Sequence, residues 1–132
     1  MKKEFMEKKE PPGSFSIRAR LKSFRHALAG LNAFFNTQHN AVIHLLMTIL
    51  VFIASLFFTI SKTEAIAITL AVGLVWTAEL FNTAIEKLAD MVEQEFHPVI
   101  KFIKDVSAAA VLITAITALV TGTIIFLPKI FA

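Results

Sequence analysis

The chain has 132 residues, enough for one domain; 56% are hydrophobic and the mean hydropathy is +0.70. That exceeds the roughly 45–50% apolar share of ordinary soluble domains, so composition points to a membrane protein. The absence of cysteine excludes disulfides, thiolate metal sites and a cysteine nucleophile, and the formal charge of +3 informs only through its placement.

Residues 1–13 alternate Lys and Glu and end in Pro11-Pro12-Gly13. They cannot bury a core and are expected to form a disordered, solvated tail ahead of one domain over 14–132. Ser14 is a candidate N-cap for a helix over 14–36. Its apolar positions Ile17, Leu21, Phe24, Leu28, Leu31 and Phe35 project within about ±40° of one line. Arg18, Lys22 and Arg25 flank that stripe on one side and Arg20 on the other, and no acidic residue occurs between Pro11 and Ile60. Such a helix is expected to lie in the membrane interface, stripe down and cations toward headgroups.

Three spans follow, over about 41–60, 65–90 and 105–127. Val42 to Ile60 alone would cover about 28 Å as a helix, close to the hydrocarbon thickness of a bilayer. His44, near its start, reads as an interfacial or packing histidine rather than a ligand. The short Ser61–Glu64 connection makes the first two spans antiparallel neighbours. Trp76 lies one turn before Glu79, at a depth that suits an interface or a substrate-facing wall. Pro98 marks a break in the polar stretch from Met91 to Asp105, and Pro128-Lys129 ends the third span. Within that span Ser107, Ala110, Thr114, Thr117 and Thr121 form a stripe of small and hydroxyl side chains, the ordinary signature of close helix packing in lipid. The first long apolar run begins near Ala41, too far in for a secretory signal, so the spans are expected in the mature protein. Eight Lys and Arg precede the first span while Lys62 alone lies in the first connection, which puts the N-terminus in the cytoplasm.

Polarity is out of place at the end of the second span. At about 100° per residue, Glu79, Asn82, Thr83, Glu86 and Asp90 share one helix face. Carboxylates continuing a membrane-grade apolar run are rare unless they face a bundle interior or polar cavity. Glu79 and Glu86 stand two turns apart, about 10 Å along the axis, a spacing at which one can hold a hard divalent cation while the other accepts a proton. Lys104 could meet a phosphate, and Asp105 a sugar or a base to be oriented. Together these are parts for a metal-assisted phosphoryl transfer at the cytoplasmic surface, although carboxylates in such a protein also serve proton or cation pathways. There is no Walker-type loop and no GxGxxG, so any kinase site must be built from helices.

Glu79-x-x-Asn82-Thr83-Ala84-Ile85-Glu86-x-x-x-Asp90, followed by His97 and by Lys104-Asp105-x-x-Ala108-Ala109-Ala110-Val111, resembles the signature of the prokaryotic diacylglycerol kinase and undecaprenol kinase family. Ser23-Phe24…Gly30-Leu31 and Asn40-x-x-Ile43-His44 match it in order and spacing. The resemblance implies an all-α integral membrane protein of the bacterial inner membrane, with an amphipathic surface helix and three transmembrane helices, assembled as a homotrimer. It implies an ATP-dependent kinase for the hydroxyl of a membrane lipid, undecaprenol or diacylglycerol, with Mg²⁺ as cofactor and no nucleic-acid partner. By the same resemblance Glu79 is the general base, Asn82 its support and Glu86 a metal ligand, while Lys104, Asp105, His97 and Asp90 belong to the nucleotide site. One position departs: Gln38 stands where the family usually has a second metal-binding glutamate, and an amide oxygen brings no negative charge to a metal. Val42 likewise replaces a commonly basic residue. A weakened family member, with a scaffold role, and a small ion- or proton-conducting protein are the competing expectations.

Overall fold

In the computed structural model the described residues run from Ser16 to Ala132; the Lys/Glu-rich segment and Ser14 lie outside them. The described residues form four helices, α1 (Ile17–Thr37), α2 (His39–Phe57), α3 (Lys62–Val92) and α4 (Pro98–Ile130), with no strand among them. By contacts the chain divides into two units, up to Ala33 and from Phe34 onward.

In the first unit, described from Ser16, the Ser16 hydroxyl accepts a hydrogen bond from the Ala19 N–H at 3.4 Å and starts α1. The stripe of Ile17, Leu21, Phe24 and Leu28 is present and exposed. An uncovered apolar face opposite arginine and lysine is the pattern of an interfacial helix.

The second unit is a bundle of the three long apolar helices, each long and apolar enough to cross a membrane. Gln38, in extended conformation, separates α1 from α2. α2 stops at Phe57, short of Ile60, because Phe58 turns extended. Ser61 then caps α3: its hydroxyl accepts from the Glu64 N–H at 3.3 Å, and the Glu64 carboxylate accepts from the Ser61 N–H at 2.6 Å, a reciprocal pairing that satisfies two otherwise orphan donors. The third long helix begins earlier than its apolar run suggests. Pro98 does not merely break a pattern; it occupies the first helical turn, where a missing N–H costs nothing, and His97 caps it by accepting the Val99 N–H on Nδ1 at 3.3 Å. At the other end α4 passes through Pro128 to Ile130, since a proline that close to the terminus interrupts only the last turn.

α3 packs against α4 along most of its length, whereas α2 meets α3 at fewer points. Both pairings are antiparallel: Glu64 meets Lys129 at one end of α3 and Asp90 meets Lys104 at the other, while Thr48 and His44 on α2 face Trp76 and Glu79 in reverse order. Ala71, Val75 and Ala89 line the buried face of α3, and Ser107 and Ile125 that of α4. Small residues there let backbones approach closely, which is how apolar helices associate without a hydrophobic driving force between them. Of the hydroxyl stripe on α4, Ser107 is buried and Thr114 and Thr121 are half-buried, while Ala110 and Thr117 are exposed.

Candidate active site

The polar face of α3 is graded. Glu79 is 3% and Asn82 9% exposed, Thr83 and Glu86 are half-buried, and Asp90 is exposed. About 20 helical residues cover the roughly 30 Å of bilayer hydrocarbon; counted from Lys62, that length ends near Phe81. Glu79 and Asn82 therefore lie at the margin of the apolar layer, and Glu86 and Asp90 beyond it.

Glu79 does not stand alone. His44 Nε2 lies 2.7 Å from Glu79 Oε1. An ionised carboxylate only accepts, so Nε2 carries the proton in this pair. His44 is thus a partner of the central carboxylate rather than an interfacial or packing residue. Trp76 holds the same spot from behind: its indole N–H donates to Thr48 Oγ1 at 3.1 Å, and that hydroxyl donates to the His44 carbonyl at 2.7 Å. The indole ring meets the imidazole edge-on at a centroid distance of 6.4 Å and packs against Phe34 and Phe35 at 6.2 and 5.5 Å. Trp76 accordingly serves as a clamp.

One turn on, the Ser107 hydroxyl donates to Asn82 Oδ1 at 2.6 Å, and Asn82 Nδ2 donates to Glu86 Oε1 at 3.1 Å. The carboxylate fixes which end of the amide is which, since it needs an N–H. Ser107, which reads in sequence as a small packing residue, is therefore the start of a polar relay from α4 through α3 to Glu86.

Outside the apolar layer, Lys104 Nζ bonds Asp90 Oδ1 at 2.6 Å and also feels the charge of Glu86. Asp105 pairs with Lys101 one turn earlier on its own helix, away from Lys104. His97 is engaged as the cap of α4. Gln38 is half-buried at the start of α2, where its side chain makes no capping bond.

Among the described residues no three His, Asp or Glu side chains converge as a protein-built metal cage. A hard cation such as Mg²⁺ needs no cage, because it usually keeps waters and substrate phosphates and takes one or two protein carboxylates. Glu86, half-buried with one oxygen held by Asn82, fits that demand.

Beside the His44–Glu79 pair, an apolar groove of about 430 Å³ runs between α2, α3 and α4. His44 and Thr48 form its polar wall, with Met47, Val75, Gly122 and Phe126 among its apolar residues. At Gly122 nothing lies within 4 Å of where a side chain would begin.

A carboxylate at the membrane margin, an acid–amide–hydroxyl relay and a chain-sized apolar groove are parts suited to chemistry on a lipid headgroup. Comparison with known proteins agrees. The prokaryotic diacylglycerol kinase family matches residues 25–126. The undecaprenol kinase of Bacillus subtilis (strain 168) is 36% identical over 109 residues, covering 83% of this chain and 89% of that protein. A diacylglycerol kinase of Synechocystis sp. is 36% identical over 113 residues, which are 85% of this chain and 65% of that longer protein. The resemblance carried by the Glu79–Asp90 and Lys104–Val111 motifs thus extends over most of the sequence, and this membrane protein belongs to the prokaryotic diacylglycerol kinase family.

Proposed function

We propose that the protein is a lipid kinase that transfers the γ-phosphoryl group of ATP to the hydroxyl of a membrane lipid alcohol at the cytoplasmic face of the bacterial inner membrane. The observation that carries this is the position of Glu79: buried, beside an apolar groove, and two turns along α3 from Glu86, near which Lys104 lies. The lipid chain lies in the groove. Its hydroxyl gives a proton to Glu79 as the oxygen bonds to the γ-phosphorus, and the bond from that phosphorus to the β-bridging oxygen breaks to leave ADP. Glu86, with Asn82 as support and Gln38 as a weak neutral ligand, would hold Mg²⁺, whose charge would offset that of the phosphates. Lys104 and Asp90 contact the nucleotide phosphates, and Asp105 and His97 the more distant parts of ATP. The protein works as a homotrimer with its N-terminus in the cytoplasm.

Of the two lipid alcohols, undecaprenol is favoured. The relative named for it is matched over 89% of its length, against 65% for the diacylglycerol kinase at the same identity. Transfer of radiolabelled phosphate in mixed micelles, run with each alcohol, tests both points. Transfer to undecaprenol above diacylglycerol is expected. No transfer to either at high Mg²⁺ refutes the kinase assignment.

A further inference from the structure

Glu79 has a partner for which the resemblance offers no role. It is buried, and its Oε1 lies 2.7 Å from His44 Nε2. Among the described residues no buried side-chain nitrogen or oxygen lacks a partner, and the hydrogen bond seen at the Glu79 carboxylate is made by Oε1, not Oε2. The other charged groups nearby are engaged elsewhere or turned outward. On α3, Glu86 is held by Asn82, Asp90 by Lys104, and Lys87 is exposed; on α4, Lys101 is taken by Asp105; on α2, His39 is exposed; the last turn of α1, from Phe34 to Thr37, has no titratable side chain. Among the described residues His44 is the only group in ion-pair range of Glu79. Its ring packs against the Trp76 indole at a centroid distance of 6.4 Å, and that indole is held by Thr48.

We propose that His44 is a positioning residue for phosphoryl transfer, an inference that rests on Glu79 being the base. Nε2–H donates to Oε1, holds the buried carboxylate in one orientation and leaves Oε2 to receive the proton of the lipid hydroxyl. After transfer the pair holds that proton until product departs and solvent takes it back. A polar side chain at position 44 can still donate to Oε1 while an apolar one of similar size cannot, so loss of His44 has a signature that loss of packing does not.

The test is kcat and KM for ATP, on the full chain in undecaprenol mixed micelles, for His44→Leu, His44→Gln and Glu79→Gln. For His44→Leu, kcat should fall about tenfold or more with KM for ATP unchanged. His44→Gln keeps a donor and should restore part of kcat. Wild-type kcat in His44→Leu, or equal losses of kcat in His44→Leu and His44→Gln, overturns the proposal. Should the leucine variant fail to fold, wild-type kcat in His44→Ala does the same. Glu79→Gln separates the two ideas: it should lose about 10²-fold or more, and if it does not, the assignment of the base fails whatever His44 does.

Discussion

Removing one hydroxyl, Ser107→Ala, should disturb the proposed metal ligand Glu86 from the far side of a helix interface. Ser107 Oγ lies 2.6 Å from Asn82 Oδ1 and 2.9 Å from the Lys104 carbonyl; one hydroxyl proton serves one acceptor at a time, and the nearer one is Oδ1. Both Ser107 and Asn82 are at most 9% exposed, so water does not easily replace the lost donor. Interhelical hydrogen bonds in membranes average about 0.6 kcal/mol and reach about 1.7. Burial at both ends places this one near the top, about 1–2 kcal/mol including the stranded amide oxygen. The amide is then free to rotate, and Glu86 Oε1 loses its fixed donor. The expected result is a modest loss of stability in a micellar denaturation titration, with a several-fold rise in the Mg²⁺ concentration that gives half-maximal rate. A double-mutant cycle with Asn82→Ala decides the point: coupling of about 1 kcal/mol supports the relay. Additive losses, with an unchanged Mg²⁺ requirement in Ser107→Ala, would refute it.

Four further outcomes are expected. Glu86→Gln should raise the Mg²⁺ requirement, whereas Glu79→Gln should lower turnover and leave that requirement in place; kinetics at varied Mg²⁺ separate them. Lys104→Ala breaks an exposed ion pair and should cost little stability, yet raise KM for ATP, as isotherms and rates together will show. Gln38→Glu restores a negative charge at the departing position and should lower the Mg²⁺ concentration needed; an unchanged requirement excludes Gln38 from the metal site. Gly122→Leu fills open groove rather than packed core and should raise the apparent KM for the lipid about tenfold, with KM for ATP unaltered.

The spans were legible in the sequence because apolar runs report a lipid environment directly. Their ends were not. Pro98 looks like a stop when only apolarity is counted, yet His97 and Pro98 together make a cap and a first turn, extending α4 by seven residues into polar sequence. The face from Glu79 to Asp90 was legible through periodicity alone, and its graded burial follows from where a helix leaves the hydrocarbon. What periodicity cannot supply is the facing residue. His44 and Thr48 are one turn apart on α2, and Glu79 and Trp76 roughly one turn apart on α3; the two-rung ladder between them depends on the exact length of the Phe58–Ser61 connection. The signal was a pair of polar residues at helical spacing inside an otherwise apolar span. Ser107 was hidden for a different reason: a serine in a small-residue stripe satisfies packing and hydrogen bonding alike.

The groove between α2 and α4 is edged by Ile43, Leu119 and Ile130, each more than half exposed, and α2 is tied to α3 mainly by its polar rungs. Its mouth therefore opens sideways into the acyl layer. A lipid alcohol can enter by diffusing in the plane of the membrane, with no step through water. The search for substrate is two-dimensional, and turnover should follow the mole fraction of the alcohol among surrounding lipids, not its amount per volume of suspension; diluting the film with inert lipid slows the enzyme, while diluting the suspension with buffer does not.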